Sequence, residues 1–233
     1  MRKVNSGGSR VSALFLTQGS AGTLASGDYL KEQFPHIKVC AGEALQCPTM
    51  LYNGYGAHRI EGIGDKHIPW IFNVRNLDAA AAIDDRDCLR VMRLFNEPEG
   101  KSYLMEMGIS EELVSKLPLL GLSGIANLLG SIKIARYFEM GKKDIVISLS
   151  TDSMNLYGSR LKEQNSKSGA YNQVQAAIDL NACLYGQSID YVAELGYWDK
   201  KRIHNLKYFT WVEQRGMSDR ELTRQWEDGS YWT

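Results

Sequence analysis

The stretch Thr17-Gln18-Gly19-Ser20-Ala21-Gly22-Thr23 decides how this chain is read. An apolar run, Val11-Ser12-Ala13-Leu14-Phe15-Leu16, precedes it and is short enough for a buried strand. From Leu24 to Phe34 apolar residues recur at helical spacing until Pro35 closes the helix, and Ile37-Lys38-Val39-Cys40-Ala41 reads as the next strand. Strand, glycine-rich turn, helix and strand together fill the ~30 residues of a βαβ crossover. Glycines and hydroxyl residues opening a helix make an anion site. Free N–H groups point outwards, the helix dipole favours negative charge, and no side chain blocks a phosphate. The same composition also serves where only tight packing is needed. The turn matches neither G-x-G-x-x-G nor the lysine-bearing P-loop, which argues against dinucleotide and NTP binding.

Outward from this unit, Glu43 to Met50 leaves the second strand, Leu51 to Gly56 is turn-rich, and His58 to Trp70 is an irregular segment held by its glycines and Pro69. His58 and His67 lack the i, i+4 spacing of a helical metal pair. Asp78 to Ile83 reads as a short strand or connection. Asp84 to Asp87 caps a helix from about Cys88 to Phe95, broken by Asn96 to Gly100. Short helices are predicted over Lys101 to Met107 and, capped by Ser110, over Glu111 to Lys116. A second glycine/serine turn, Gly121-Leu122-Ser123-Gly124, opens a long apolar helix to Phe138. Gly141 closes it, and a buried strand follows from Asp144 to Leu149. The fold class is therefore α/β: a three-layer, mostly parallel sheet with helices on both faces, and ligand-binding turns at strand ends.

The expected organisation is a flexible lead-in over Met1 to Arg10, an α/β domain over Val11 to Ser159, and a helical, aromatic-rich extension over Arg160 to Thr233. The extension reads as an oligomer arm, as a clamp over a partner, or as a helical layer on the domain's own surface, the last being the simplest. Lys plus Arg and Asp plus Glu number 27 each, so nothing in the charge calls for nucleic acid or an anionic membrane as partner. The scattered Cys40, Cys47, Cys88 and Cys183 form no metal or redox pattern and point to a reduced, cytoplasmic protein. The polar N-terminus lacks the apolar core of a secretory signal, and no apolar run approaches the ~20 residues that span a bilayer.

In their order these pieces resemble the C-terminal half of a cysteine-synthase-type enzyme dependent on pyridoxal 5'-phosphate (PLP), the fold type II or tryptophan-synthase-β-like family. Gly19-Ser20-Ala21-Gly22-Thr23 with Gly27-Asp28-Tyr29-Leu30-Lys31 is similar to the family's phosphate-cradling G-T-G-G-T turn and the helix after it. His58-Arg59-Ile60-Glu61-Gly62-Ile63-Gly64 with Ile68-Pro69 looks like its H-K-I-x-G-I-G loop beside the cofactor. Gly121 to Ala126 is similar to G-I-S-S-G-A, and Val146 through Thr151-Asp152-Ser153 to Tyr157 to the strand that ends in D-S or P-S. The resemblance implies that Gly19, Ser20, Ala21, Gly22 and Thr23 hold the PLP phosphate, Ser20 and Ala21 standing where the family has Thr and Gly. It implies that Gly62 and Gly64 let backbone approach the cofactor face, and that Ser153, with Thr151 as rival, bonds the pyridine nitrogen. Asp152 and Tyr157 have weaker claims, Asp152 as a helix cap and Tyr157 as packing.

The resemblance also implies a gap. In the family the Schiff-base lysine lies upstream of the G-T-G-G-T turn, and no lysine here stands in that motif: Lys66 is in a loop and Lys133 on the helix of the third match. PLP chemistry needs an amine to carry the cofactor and usually to move the α-proton. The expectation is a PLP-binding part of an amino-acid-metabolising enzyme that needs a lysine-bearing half from a second chain or a homo-oligomer. The alternatives are a non-catalytic relic and, outside the family, a protein binding another phosphorylated ligand. β-Replacement or elimination on an amino-acid substrate is the family's default. The Glu43-Ala44-Leu45-Gln46-Cys47-Pro48-Thr49 segment and the aromatic tail look more like a group of larger PLP β-subunits, which includes the PLP subunit of 2-amino-4-oxopentanoate thiolase.

Overall fold

The computed structural model describes residues 8–64 and 66–232; most of the expected lead-in, Met1 to Ser6 and Gly7, lies outside the described residues, as do Asp65 and Thr233. In chain order the elements are β1 (Arg10–Thr17), α1 (Ser26–Gln33), β2 (Lys38–Ala44), α2 (Thr49–Tyr52), β3 (Ala79–Ile83), α3 (Asp85–Asn96) and α4 (Pro98–Glu106). They continue with α5 (Glu111–Lys116), α6 (Leu122–Tyr137), β4 (Asp144–Ile147), α7 (Gly158–Ser168), α8 (Gln173–Asp179), β5 (Val192–Glu194), α9 (Tyr197–Asn205) and α10 (Asp219–Glu227).

The sheet runs β4-β1-β2-β3-β5. The pairs β4–β1, β1–β2 and β2–β3 are parallel, and β5 lies antiparallel on β3. β1 is apolar on both faces because helices cover both, as a central parallel strand requires. Its Ala13 and Phe15 join one core with Leu89 and Met92 of α3 and Ile125 and Leu129 of α6. Its Leu14 and Leu16 join a second core with Leu30 of α1 and Ile203 of α9. The three layers are those the hydrophobic pattern predicts. The layers close because glycines make room for Phe15: a Cβ at Gly130 of α6 would stand 2.0 Å from its ring, and one at Gly42 of β2 2.7 Å. Interiors this dense leave no slack for an added methyl.

The helix starts follow their capping chemistry. Asp84 accepts the Arg86 N–H at 2.9 Å at the head of α3, and Ser110 accepts the Leu113 N–H at 3.3 Å at the head of α5. α4 begins at Pro98, three residues before the expected Lys101, because proline at a first helical position forfeits only an N–H that has no partner there. The aromatic-rich region returns to the sheet: β5 pairs with β3, and α9 lies over the second core. Among the described residues no single helix is long and apolar enough to cross a membrane, and no group of His, Cys, Asp and Glu side chains could hold a metal ion.

Candidate functional site

β1 delivers the glycine turn to the C-terminal edge of the sheet, where open parallel sheets bind ligands. The strand's last ladder partner is Gly42, whose carbonyl accepts the Gln18 N–H at 2.7 Å. From there the ladder stops. The N–H groups of Gly19, Ser20, Ala21, Gly22, Thr23 and Leu24 find no acceptor among the described residues; bonding resumes where Ala25 N–H reaches Ala21 O at 3.0 Å. A run of successive backbone amides with no acceptor of their own, in a turn that opens a helix, is a candidate anion cradle. Ala21 is left-handed at φ 68° and buried, which satisfies the turn at the position where the resembling family has glycine. Such a conformation costs a non-glycine residue about 1–2 kcal/mol. The start of α1 adds its positive end to the same place.

The glycine loop packs directly on this turn. Gly64 N–H donates to Gln18 O, and a Cβ at Gly64 would stand 2.5 Å from that oxygen, so glycine is needed for the approach. His58 shapes the loop: its Nδ1 accepts the Ile60 N–H at 3.2 Å, which leaves Nε2 to donate to Gly64 O at 3.0 Å in the neutral tautomer. Arg59 makes a forked pair with Asp85 of α3, Nη2 to Oδ1 at 3.0 Å and Nε to Oδ2 at 3.2 Å. Glu61 pairs with Arg160 of α7. Gly62 is left-handed at φ 88°, and a Cβ there would stand 3.7 Å from Ser123 Cβ and 3.8 Å from Asp152 Oδ2.

The third and fourth motifs meet behind Gly62. Ser123 Oγ lies 3.3 Å from Thr151 Oγ1 and donates to Asp152 Oδ1 at 3.1 Å, while the Tyr157 hydroxyl donates to Asp152 Oδ2. Burial, and then the Asp152 carboxylate, push the Tyr157 phenol well above its ordinary range. A Cβ at Gly121 would stand 2.3 Å from Asp152 Oδ1, so this glycine lets the head of α6 close on the carboxylate. Thr151 and Asp152 thus join the cluster. The Ser153 hydroxyl makes no hydrogen bond among the described residues, and its backbone carbonyl accepts from Leu156 N–H at 3.2 Å. Asn127 of α6, unmarked in the sequence reading, ties the two strand ends together: its Oδ1 accepts the Thr17 N–H at 2.7 Å and its Nδ2 donates to Leu149 O at 2.9 Å.

A cavity of about 600 Å³ lies between the two glycine segments, lined by Gly19, Ser20, Gly62, Ile63, Gly64, His67, Pro69, Trp70, Ile71 and Trp211. No lysine is among these. Lys133 is buried and donates to Asp190 O at 2.7 Å, and Lys207 donates to the Trp70 and Phe72 carbonyls at 2.9 and 2.8 Å. Burial alone brings the Lys207 ammonium down to about 7. Glu43, at the end of β2, accepts the Met50 and Leu51 N–H groups at 2.7 and 3.0 Å, and burial raises its carboxyl to about 7 in spite of them. An isolated acid inside an apolar strand is the signal that could have marked Glu43; Trp211 and Lys207 carried none.

The comparisons agree with this geometry. No family model matches the chain. The hydrogen sulfide-producing enzyme of Fusobacterium nucleatum superposes with a TM-score of 0.54 at 22% identity, over 83% of this chain and 51% of that one. The cysteine synthase of Entamoeba histolytica does so with a TM-score of 0.54 at 24% identity, over 73% and 45%. In sequence, cysteine synthase B of Campylobacter jejuni is 25% identical over 121 residues, 52% of this chain and 34% of that protein. A probable cysteine synthase of Bacillus subtilis is 31% identical over 100 residues, 42% and 32%. The chain thus spans about half the length of the solved structures, and its match covers about a third of the curated relatives. The fold is the fold type II α/β architecture of these solved structures. In sequence the chain is similar to cysteine synthases over part of its length.

Proposed function

We propose that this chain forms the phosphate-holding part of a PLP site in an enzyme that acts on an amino acid, and that the amine carrying the cofactor comes from another segment or a second chain. The run of free N–H groups from Gly19 to Leu24 carries the reading. A phosphate dianion matches such a nest because each amide donates without a competing acceptor, and bonds to charged groups are worth roughly twice neutral ones. The residues present therefore fit the group, and the cavity walls fit a ring beyond it.

PLP, when bound, supplies the electron sink for carbanion chemistry. This chain's residues orient and enclose it. Gly19, Ser20, Ala21, Gly22 and Thr23 would hold the phosphate, Gly62 and Gly64 would let the loop backbone approach the ring, and Thr151 or Ser153 would meet the pyridine nitrogen. Thr151, which contacts Ser123, and Ser153, whose hydroxyl has no partner among the described residues, both remain candidates for the pyridine nitrogen. The lysine-free cavity lining supports an amine from elsewhere. The names of the relatives support β-replacement or elimination on an amino acid. Buried, unpaired cysteines support a reducing, cytoplasmic setting.

The test is calorimetric titration of the full chain with PLP and with inorganic phosphate, for the natural sequence and for Gly22→Leu. A Cβ at Gly22 would meet only Ser20 Oγ, at 3.8 Å, so the fold has room for the side chain, which is expected to obstruct the cradle. Binding of both ligands by the natural chain and its loss in Gly22→Leu are expected. Equal binding in the two chains would refute the cradle. Phosphate binding with no preference for PLP would instead favour another phosphorylated ligand.

A further inference from the structure

The C-terminal region builds one wall of the same cavity. Trp211 sits in a π-helical turn, Tyr208–Gln214, and faces the space that Gly19 and Ser20 border. Such wide turns recur at functional sites. This one is tied to the glycine loop at successive points. Trp211 Nε1 donates to Ile68 O at 2.7 Å, and Thr210 Oγ1 lies 3.1 Å from His67 Nδ1. Lys207 Nζ donates to Trp70 O at 2.9 Å and to Phe72 O at 2.8 Å. Its remaining hydrogen goes to Gln225 Oε1 at 2.8 Å, so a fully buried ammonium is completely satisfied. These ties hold the indole in one place. They leave the cavity with two chemically distinct ends, free amides at Gly19 and Ser20, and the apolar surfaces of Pro69, Trp70, Ile71 and Trp211.

We infer that Trp211 is a specificity-determining residue of this site: its indole holds the flat, apolar body of a phosphate ester whose phosphate occupies the glycine cradle. The inference rests on the cradle reading above and adds the residue by which the site distinguishes a phosphomonoester of a planar ring from a free phosphate or an aliphatic ester. Indole faces favour planar rings through offset stacking beyond simple burial. Inorganic phosphate engages only the amide end and is indifferent to Trp211.

The test titrates the full chain with PLP, glycerol phosphate and inorganic phosphate. The natural chain binds PLP more tightly than the other two. Trp211→Ala weakens PLP about tenfold and leaves inorganic phosphate within about twofold. Trp211→Phe, which keeps a ring but loses the bond to Ile68 O, retains most of the PLP affinity, and Trp211→Leu does not. These two space-filling variants decide the matter if the alanine variant fails to fold, with thermal melting as the check. The inference is overturned by PLP affinity that ignores Trp211, by parallel losses for PLP and inorganic phosphate, or by glycerol phosphate binding as well as PLP. A natural chain that binds none of the three overturns the cradle reading itself. One that binds all three without regard to Trp211 overturns only the wall.

Discussion

Replacing Asn127 tests the joint between the cradle strand and the strand that carries Thr151. Its carboxamide lies between β1 and the segment after β4, is 5% exposed, and serves Thr17 N–H and Leu149 O at once. In Asn127→Ala both partners lose their bond. A buried group left unpaired costs about 1–3 kcal/mol. Thr17 N–H is deeply buried and bears that cost in full; Leu149 is 41% exposed, so water reaches its carbonyl and the second cost is smaller. With a small cavity added, the expected loss is about 2–4 kcal/mol. Because Thr17 stands two residues from Gly19, phosphate binding should weaken as well. Asn127→Asp separates the bonds: the carboxylate still accepts from Thr17 but faces the Leu149 carbonyl with no hydrogen to offer. Its folded pKa is then raised, so its stability holds below the ordinary Asp value of about 3.9 and is lost as pH rises. Urea unfolding, with m-values checked for constancy, measures both variants. Stability of Asn127→Ala within about 0.5 kcal/mol of the natural chain would sink the argument, because it would mean the bridge does not hold.

Other expectations follow from the same contacts. Gly64→Ala drives a Cβ to 2.5 Å from Gln18 O, which should cost about 1–3 kcal/mol and lower phosphate affinity together, a coupling that parallel melting and titration would expose. Lys207 has a folded pKa of about 7, below its ordinary 10.5, so its stabilising contribution is present above 10.5 and is lost as pH falls through 7. The natural chain should therefore gain stability between those values by at most about 1.4 kcal/mol per pH unit, and Lys207→Met should abolish that slope in a urea-midpoint series. Glu43 has the opposite sign. Its folded pKa of about 7 lies above the ordinary 4.5, so its contribution holds below 4.5 and is lost as pH rises through 7. Glu43→Gln should remove that decline, and the same series read below neutrality checks it.

How much was legible in the sequence differs by element. The βαβ unit was readable because a both-faces-apolar strand, a glycine turn and an amphipathic helix are each local patterns. The caps at Asp84 and Ser110 were readable for the same reason. β5 was not: Val192–Glu194 is too short for a periodic signal, and it is a strand only because β3 offers an open edge. α4 was misplaced by three residues because Pro98 reads as a breaker until its place in the first turn is known. Within the site, the bond between Ser123 and Thr151, 28 residues apart, was not legible either, because it needs α6 and the segment after β4 to meet.

By itself, the sequence determined which backbone segments are free to bind: glycines and small residues at Gly19 to Thr23 and Gly62 to Gly64 follow from local sterics that need no partner. Tertiary structure alone decided what faces them. Asn127, Trp211 and Lys207 come to the site across separations of 110, 143 and 137 residues, and are placed by hydrogen bonds to Thr17 N–H, Ile68 O and Trp70 O. Those bonds exist only once the sheet and both helical layers have closed. A local pattern can leave amides unpaired; only the folded chain can set an indole across the cavity from them, with a buried ammonium bracing the segment behind it.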